Sequence, residues 1–370
     1  MIKLIDLNFH MHDDMSDPME VLSLHRPSLG FVKYLKEKLS IQLIKHMNYE
    51  GVETVGGVQY FFFRRRKSFW SIPLRTLHFI RNQQPHIVLV QGFIFPLQVI
   101  ALRLILGKKT KVLLQYHGEK IFHGPKLIFQ RMMKFFVDGW LFTSAENANH
   151  WIVNKIIPGR RYCYEVLEGS THFCYRDKEK CRNDIGMRGP NNFLWVGRLN
   201  DGKDPLCVLD AFEKYIRNSP AARLYMIFQT DDLMPQIQQR FAKNRNLEAA
   251  TILVGKIQHD QLRQWYCAAD FFVAATHAES TGYSLIEAMA CGCVPVVTAI
   301  PSYKKITANG ELGFLFEVGN SEMLYRVLMD VESCDRATLS EEIIKHFYSS
   351  LSFRSIADQL YSVCSDIITK

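Results

Sequence analysis

Short runs of apolar residues alternate with amphipathic segments along almost the whole chain. Residues 1–8 alternate in polarity and predict a first strand, and the helical pattern FVKYLKEKL follows Gly30. Strands rich in Val, Ile and Leu that alternate with helices are typical of parallel sheets covered on both faces. Further strands are predicted at SIQLIKHM, HIVLVQG, TKVLLQYH and GWLFTSA, and further helices at PLRTLHFIRN and FHGPKLIFQRMMKFFVD.

A polar stretch with Gly and Pro at residues 177–190 interrupts this pattern and predicts a linker. A second series of strands and helices follows it, beginning with NFLWVG. We therefore expect two doubly wound α/β domains, residues 1–180 and 191–350, and a C-terminal helix at 351–370 that packs back on the first domain. Ligands of such sheets bind at the carboxyl ends of the strands, here most naturally between the domains.

One apolar stretch, residues 87–106, has the length of a membrane span. Gln91, Pro96 and Arg103 interrupt it, and an Arg side chain costs about 2.5–3.5 kcal/mol at the centre of a bilayer. The sequence therefore predicts a buried strand, a short loop and a helix here.

The net charge of +8 is unevenly divided between the two halves of the chain. Residues 1–190 contain 28 Lys and Arg against 16 Asp and Glu, whereas the remainder contains 17 against 21. The first half is therefore expected to meet an anionic partner. No RNP-type aromatic motif, zinc finger or basic zipper is present, so a nucleic acid is not the expected partner.

A basic run at residues 64–67 lies between Phe61 and Trp70 in the segment YFFFRRRKSFW. Two interpretations stay open for this segment. It is either a strand with a solvated end, or a peripheral contact with an anionic membrane surface.

The cysteines and the N-terminus indicate the cytoplasm. The nine cysteines are odd in number, and neither C-x-x-C nor a zinc-type spacing occurs, so we expect reduced thiols. The first residues become polar too soon for a signal peptide. His10, His12 and the neighbouring Asp13 and Asp14 lack a fixed ligand spacing, so we expect no metal site there and no cofactor.

The strongest chemical signal is the segment AESTGYSLIEAMACGCVPVVTA at residues 278–299, which predicts a turn, a helix and a strand. Gly282, Tyr283 and Ser284 open the helix, where free backbone N–H groups and the helix dipole favour a diphosphate. Glu279 and Glu287 accept hydrogen bonds and suit sugar hydroxyl groups on either side of that diphosphate.

A second signal lies in WVGRLNDGKDP, where Arg198 and Lys203 leave a predicted strand within one loop. A planar guanidinium and a compact ammonium together neutralise a pyrophosphate and stabilise the departing charge.

These segments resemble glycosyltransferase family 4, a family of retaining enzymes. Glu279 and Glu287 match its E-x7-E motif, EAMACGCVPVVTA is similar to its EAMA-x-G-x-PV stretch, and GRLNDGKD to its GRL-x-x-x-K segment. The resemblance implies the GT-B fold, in which two Rossmann-like domains face each other across a cleft. Within residues 190–330 the resemblance rests on specific sequence motifs. Within residues 1–180 it rests on the order of strands and helices alone.

The resemblance also implies residue roles. Glu279 contacts the transferred sugar, Glu287 the ribose, and Arg198 and Lys203 the diphosphate in place of a metal ion. His117, at the end of LLQYHGE, matches the family's His near the donor sugar and is expected to donate a hydrogen bond to it. In the family's first-domain phosphate loop only Gly30 matches, since Ser28 and Leu29 replace the usual residues.

The predicted function is therefore metal-independent transfer of a hexose, with retention, from a UDP- or GDP-sugar to a glycan or lipid-linked acceptor. Such a reaction belongs to polysaccharide biosynthesis, at the cytoplasmic face of a membrane. Two alternatives share the fold: a nucleotide-sugar 2-epimerase, which needs no acceptor, and a non-catalytic subunit that binds the donor without turnover.

Overall fold

The computed structural model describes residues 1–66 and 68–369, and these form two units. The first comprises Met1–Ser170 with Ser352–Lys370, and the second Thr171–Leu351. The division lies ten residues before the predicted end of the first domain, because the polar stretch predicted as a linker contains a helix, Lys178–Ile185. Arg182 in that helix binds both oxygens of Asp270, at 2.8 Å each, and so fixes the helix to the second unit.

The first unit contains an eight-stranded sheet with the order β3-β4-β2-β1-β5-β6-β7-β8. All neighbouring strands are parallel except β3 and β4, which form a hairpin. Its turn is Gly56-Gly57, where both φ angles are positive, a conformation that glycine adopts without strain. The strands are β1 (Lys3–His12), β2 (Ser40–Met47), β3 (Gly51–Val55), β4 (Val58–Phe63), β5 (Ile87–Gln91), β6 (Lys111–Gln115), β7 (Gly139–Phe142) and β8 (Cys163–Glu165).

Within the described residues, seven α-helices lie between these strands. The stretch with the length of a membrane span is strand β5 followed by helix α5, as predicted, and Pro96 opens that helix while Gly107 ends it. No helix within the described part of the chain is both long and apolar enough to cross a membrane. The helices are α1 (Pro18–Leu24), α2 (Arg26–Leu29), α3 (Val32–Leu35), α4 (Leu74–Gln83), α5 (Pro96–Leu106), α6 (Pro125–Met132) and α7 (Asn149–Val153).

Strand β1 is bulged near its carboxyl end. Leu7 pairs with Ile44 and Met11 with His46, so that residues 8–10 lie opposite the single residue Lys45 of β2. His46 secures the bulge through a 2.8 Å hydrogen bond between its Nδ1 atom and the carbonyl of Asn8. Bulges of this kind redirect the side chains that follow them.

The second unit contains a six-stranded parallel sheet with the order β11-β10-β9-β12-β13-β14. Its strands are β9 (Asn192–Gly197), β10 (Arg223–Phe228), β11 (Thr251–Gly255), β12 (Phe271–Ala274), β13 (Val294–Thr298) and β14 (Phe314–Phe316). Its helices are α8 (Lys178–Ile185), α9 (Pro205–Tyr215), α10 (Met234–Lys243), α11 (Arg245–Ala250), α12 (Leu262–Ala268), α13 (Tyr283–Ala290), α14 (Pro301–Ile306), α15 (Ser321–Asp330) and α16 (Arg336–His346).

The last helix, α17 (Phe353–Thr369), belongs to the first unit. One apolar face of this helix is buried there, including Ile356, Leu360 and Ile367, and Phe353 lies against Gly30. A Cβ atom at Gly30 would lie 2.4 Å from the Phe353 ring, so the close approach of α17 requires a glycine at this position.

Candidate functional site

The start of α13 is built by Gly282 in the second unit. Its φ of +80° lies in the left-handed region, and a Cβ atom would lie 2.6 Å from the ring of Tyr303, so both conformation and space require glycine. Among the described residues, no side chain caps this helix. The first turn, with the half-buried Tyr283 and Ser284, therefore presents backbone N–H groups and the positive end of the helix dipole.

Lys203 and Glu279 form an ion pair beside this turn. Both side chains are about three-quarters buried. Lys203 follows β9 and Glu279 follows β12, and these neighbouring parallel strands bring the two loops together. A 3.0 Å bond from the His277 N–H to the Gly202 carbonyl also joins the loops.

Arg198 lies directly after β9, and its side chain is exposed. Within the described chain it has no ion-pair partner, in contrast to Lys203. The same edge of the sheet therefore carries one guanidinium open to an anion and one ammonium held by a carboxylate. Such a pair of cations beside an uncapped helix start suits a pyrophosphate.

Glu287, in α13, is a buried carboxylate held from two sides. Its side chain is 7% exposed, and Oε1 lies 2.7 Å from Nε2 of His259 while Oε2 accepts a 3.2 Å bond from the Tyr266 hydroxyl. Burial and the carboxylate of Glu287 raise the pKa of Tyr266 well above that of free tyrosine, so its hydroxyl remains a donor. Phe173 stacks on the His259 ring, with 5.0 Å between ring centroids.

His117, in the first unit, is hydrogen-bonded on both sides of its ring. Nε2 lies 2.7 Å from Oε1 of Gln91, and Nδ1 lies 3.4 Å from Oε2 of Glu168. Both partners are oxygen atoms, which favours the doubly protonated imidazolium. Burial by itself lowers the pKa of His117, but the carboxylates of Glu168 and Glu119 outweigh burial, and the pKa is raised.

A chain of polar groups continues from Gln91 into the sheet. The Gln91 amide donates a 2.6 Å hydrogen bond to Asp6 in β1, which fixes the amide so that its oxygen faces His117. Asp6 and the neighbouring Lys45 are both buried. Burial raises the pKa of Asp6 and lowers that of Lys45, while each partner opposes the shift of the other.

The remaining residues considered in the sequence analysis, Gly30 and His12, lie in the first unit. Gly30 ends α2 in a right-handed helical conformation, and its packing against Phe353 explains the glycine without a ligand. His12 lies 3.0 Å from His25, Nε2 to Nε2, and burial, His10 and Lys45 lower the pKa of His12 to about 4. No group of three or more His, Cys, Asp and Glu within residues 1–66 and 68–369 is arranged to hold a metal ion.

Sequence reasoning missed the partners of the predicted residues. His259 and Tyr266 precede Glu287 by 28 and 21 residues, and Gln91 precedes His117 by 26. No motif spacing connects them. The packing of α12 on α13 brings Tyr266 to Glu287, and the adjacency of β5 and β6 brings Gln91 to His117. The one signal available was the position of Gln91 and His117 directly at, or just after, the ends of adjacent strands.

Residues 177–348 match the model of the family described as "Glycosyl transferases group 1". The N-acetyl-alpha-D-glucosaminyl L-malate synthase of Bacillus anthracis is 21% identical over 71% of this chain and 70% of its own length. The GDP-mannose:cellobiosyl-diphosphopolyprenol alpha-mannosyltransferase of Xanthomonas oryzae is 22% identical over 47% of this chain and 44% of its own. The chain thus spans less than half of that second relative.

The solved structure of Anabaena HepE in complex with UDP is similar over 99% of this chain and 100% of that one, with a TM-score of 0.71 and 14% identity. At 14% identity this structural similarity is evidence for the fold alone. It confirms the GT-B fold with two Rossmann-like units. The match to the group 1 model lies within the second unit.

Proposed function

We propose that the chain is a retaining glycosyltransferase that moves a hexose from a UDP- or GDP-sugar to a glycan or lipid-linked acceptor. The observation that carries the proposal is the grouping of Arg198 and Lys203 with Glu279 at the uncapped start of α13. The group 1 match covers these residues.

In this proposal the diphosphate of the donor binds at the start of α13. Arg198 and the N–H groups of the first helical turn contact its oxygens, and Lys203 exchanges its bond to Glu279 for a phosphate oxygen. Glu279, released from Lys203, then accepts hydrogen bonds from the hydroxyl groups of the transferred sugar. The same two cations stabilise the charge of the departing nucleotide, so no metal ion is needed.

Glu287 binds the ribose hydroxyl groups in the same proposal. Because His259 and Tyr266 each donate to one of its oxygens, the carboxylate is already oriented in the free protein. A preoriented acceptor loses less conformational entropy when the nucleotide binds. The remaining lone pairs of both oxygens are available to ribose.

The acceptor binds to the first unit, at the carboxyl ends of β1, β5 and β6. His117 lies at this edge of the first unit, where Gln91 and Glu168 accept from its two ring nitrogens and so orient the imidazole toward a bound acceptor. Retention of configuration follows if the acceptor hydroxyl attacks from the face that the nucleotide leaves, with a phosphate oxygen taking its proton. That route needs no protein nucleophile.

The name of the Xanthomonas relative includes a GDP-sugar donor and a polyprenol-linked acceptor, and the Anabaena neighbour binds UDP. These names support a nucleotide-sugar donor and a lipid-linked acceptor. We place the reaction in polysaccharide biosynthesis in the cytoplasm, where the nine cysteines, all free thiols in the structure, remain reduced. Peripheral association with the membrane would bring the enzyme to such an acceptor.

Calorimetric titration with UDP and GDP tests the donor site. Arg198→Ala and Lys203→Ala each remove a charge-assisted contact of about 1.5–3 kcal/mol, so affinity should fall about ten- to a hundredfold. Lys214→Ala is the matched control, because Lys214 forms an ion pair with Glu322 at 2.6 Å elsewhere in the same unit. Unchanged affinity in both site variants would remove the diphosphate assignment, and product analysis separates transfer from epimerisation.

A further inference from the structure

Helix α6 and the 3-10 turn that follows it, Met133–Phe135, expose a row of apolar side chains. Ile128, Met132 and Phe135 follow one another at the spacing of a helical face, and their exposed fractions are 60%, 39% and 75%. The opposite side of the same segment is already occupied, since Gln130 and Met133 are fully buried. The exposed row therefore does not pack in the core of the first unit.

Two neighbours extend this row. Trp70, 62% exposed, contacts Phe129 of α6 edge to face at 5.7 Å between ring centroids. Leu104, 71% exposed, lies in α5, which packs beside α6 and the turn Met133–Phe135. Exposed apolar side chains gathered in this way mark an interaction site. We call Trp70, Leu104, Ile128, Met132 and Phe135 together the α6 surface.

The chain segment that contains most of the α6 surface is strongly basic. Residues 54–137 contain fourteen Lys and Arg and a single acidic residue, Glu119. The Glu119 carboxylate points inward and accepts hydrogen bonds from the backbone N–H groups of Phe93 and His117. On the surface itself, Lys126 lies over the Phe69 ring at 5.0 Å and Lys134 over the Phe135 ring at 5.1 Å.

The basic run at residues 64–67 contributes less positive charge to the α6 surface than its sequence suggests. Arg65 is turned inward, where it donates to the carbonyls of Phe9 and Ser68, and Lys67 lies outside the described residues. Of the aromatic residues before the run, Phe62 is buried and Phe61 and Phe63 pack against Phe79 in the core. Residues 61–63 therefore belong to strand β4 and its packing, and of the aromatic residues in this segment Phe69 and Trp70 lie beside α6.

We infer that the α6 surface docks onto an anionic lipid membrane, with α6 lying in the interface between headgroups and acyl chains. The apolar row enters the headgroup layer, Trp70 takes the interfacial position that tryptophan prefers, and Lys126, Arg131 and Lys134 contact lipid phosphates. A protein partner fits less well, because the centres of protein interfaces are depleted in lysine. The inference gives the proposed membrane association its surface, and it does not depend on sugar transfer.

Vesicle flotation tests the inference, with vesicles of phosphatidylcholine alone or with about one-third phosphatidylglycerol. The wild type should float with the anionic vesicles at low salt and be released as salt rises. Ile128→Ser with Phe135→Ser should weaken binding at least about tenfold, because the inserted apolar area is lost. The matched control is Leu24→Ser with Val318→Ser, two apolar residues that are exposed elsewhere.

Trp70 provides a direct readout of depth, since Trp140, Trp151 and Trp195 are fully buried. The fifth tryptophan, Trp265, is half-buried in the second unit against Tyr225, and the Trp70→Phe variant measures its contribution. Lipids brominated on their acyl chains should quench its fluorescence, and Trp70→Phe should remove that signal. Equal flotation of the Ile128/Phe135 variant and the wild type would overturn the inference, as would absence of flotation at low salt or equal binding to neutral vesicles. UDP and GDP titration of the same variants distinguishes this failure from failure of the donor site, which lies in the second unit.

Discussion

Tyr266→Phe removes one of the two hydrogen bonds that hold Glu287, and we expect it to lower both stability and nucleotide affinity. The Tyr266 hydroxyl is fully buried and lies 3.2 Å from a carboxylate oxygen that water does not reach freely. A hydrogen bond to a charged group contributes about 1.5–3 kcal/mol. Because the distance is long and His259 still holds the other oxygen at 2.7 Å, we expect the lower part of that range, about 1.5–2 kcal/mol.

A double-mutant cycle with Glu287→Gln isolates the contribution of the carboxylate charge. In the Gln background the lost hydrogen bond joins two neutral groups and is worth about 1 kcal/mol, so the coupling free energy should be about 0.5–1 kcal/mol. Urea unfolding at pH 7 measures it. The matched control is Tyr215→Phe, since Tyr215 is also buried in the second unit and donates to a carboxylate, Glu332, at 2.7 Å.

Nucleotide titration then separates a structural contact from one that orients the site. Tyr266→Phe should weaken UDP or GDP binding a few-fold, whereas Tyr215→Phe should destabilise the protein and leave affinity unchanged. A coupling free energy of zero would show that the charge of Glu287 does not strengthen its hydrogen bond to Tyr266. Equal nucleotide affinity in wild type and both variants would refute the role of Glu287 at the ribose.

Three further expectations concern the same groups. Glu279→Gln should lower kcat more than nucleotide affinity, because Glu279 contacts the migrating sugar. Glu287→Gln should lower nucleotide affinity more than kcat, because Glu287 contacts the ribose. Similar kinetics for both variants would contradict these roles. Transfer should persist in EDTA, and a complete loss restored by Mg²⁺ or Mn²⁺ would show that the cations of Arg198 and Lys203 do not suffice. Because Glu168 raises the pKa of His117, their pair stabilises the fold fully below pH about 6.5 and is lost as pH rises through the raised pKa. Glu168→Gln should therefore lower the urea midpoint more at pH 6 than at pH 9, and an equal loss at both would count against the pair.

The parallel sheets could be predicted because their strands are buried on both faces. HIVLVQG and NFLWVG are continuous apolar runs, and β5 and β9 lie there. The hairpin of β3 and β4 was also within reach, since Gly56-Gly57 is a strong turn signal between two β-prone segments. Helix α8 could not be predicted from the sequence, because it has few apolar residues. It depends on the bond between Arg182 and Asp270, which lies 88 residues away.

In the candidate site, too, the residues that stand in local motifs could be predicted, whereas the contacts between distant residues could not. Gly282, Glu279, Glu287, Arg198 and Lys203 stand in local motifs, so their placement beside a strand end and a helix start followed from sequence. The ion pair of Lys203 with Glu279, however, joins residues 76 apart and follows only from the adjacency of β9 and β12.

The position of α17 has a consequence for how the chain folds as it is synthesised. The second unit is complete once residue 351 has left the ribosome, although its synthesis begins only after the sheet of the first unit has been made. The first unit is complete only after α17 has been synthesised, since Phe353 packs at Gly30 and Ile367 packs at Gly139 in β7. Until then α3 and part of that sheet lack their apolar cover. We therefore expect the unit that is translated first to complete its folding after the second unit.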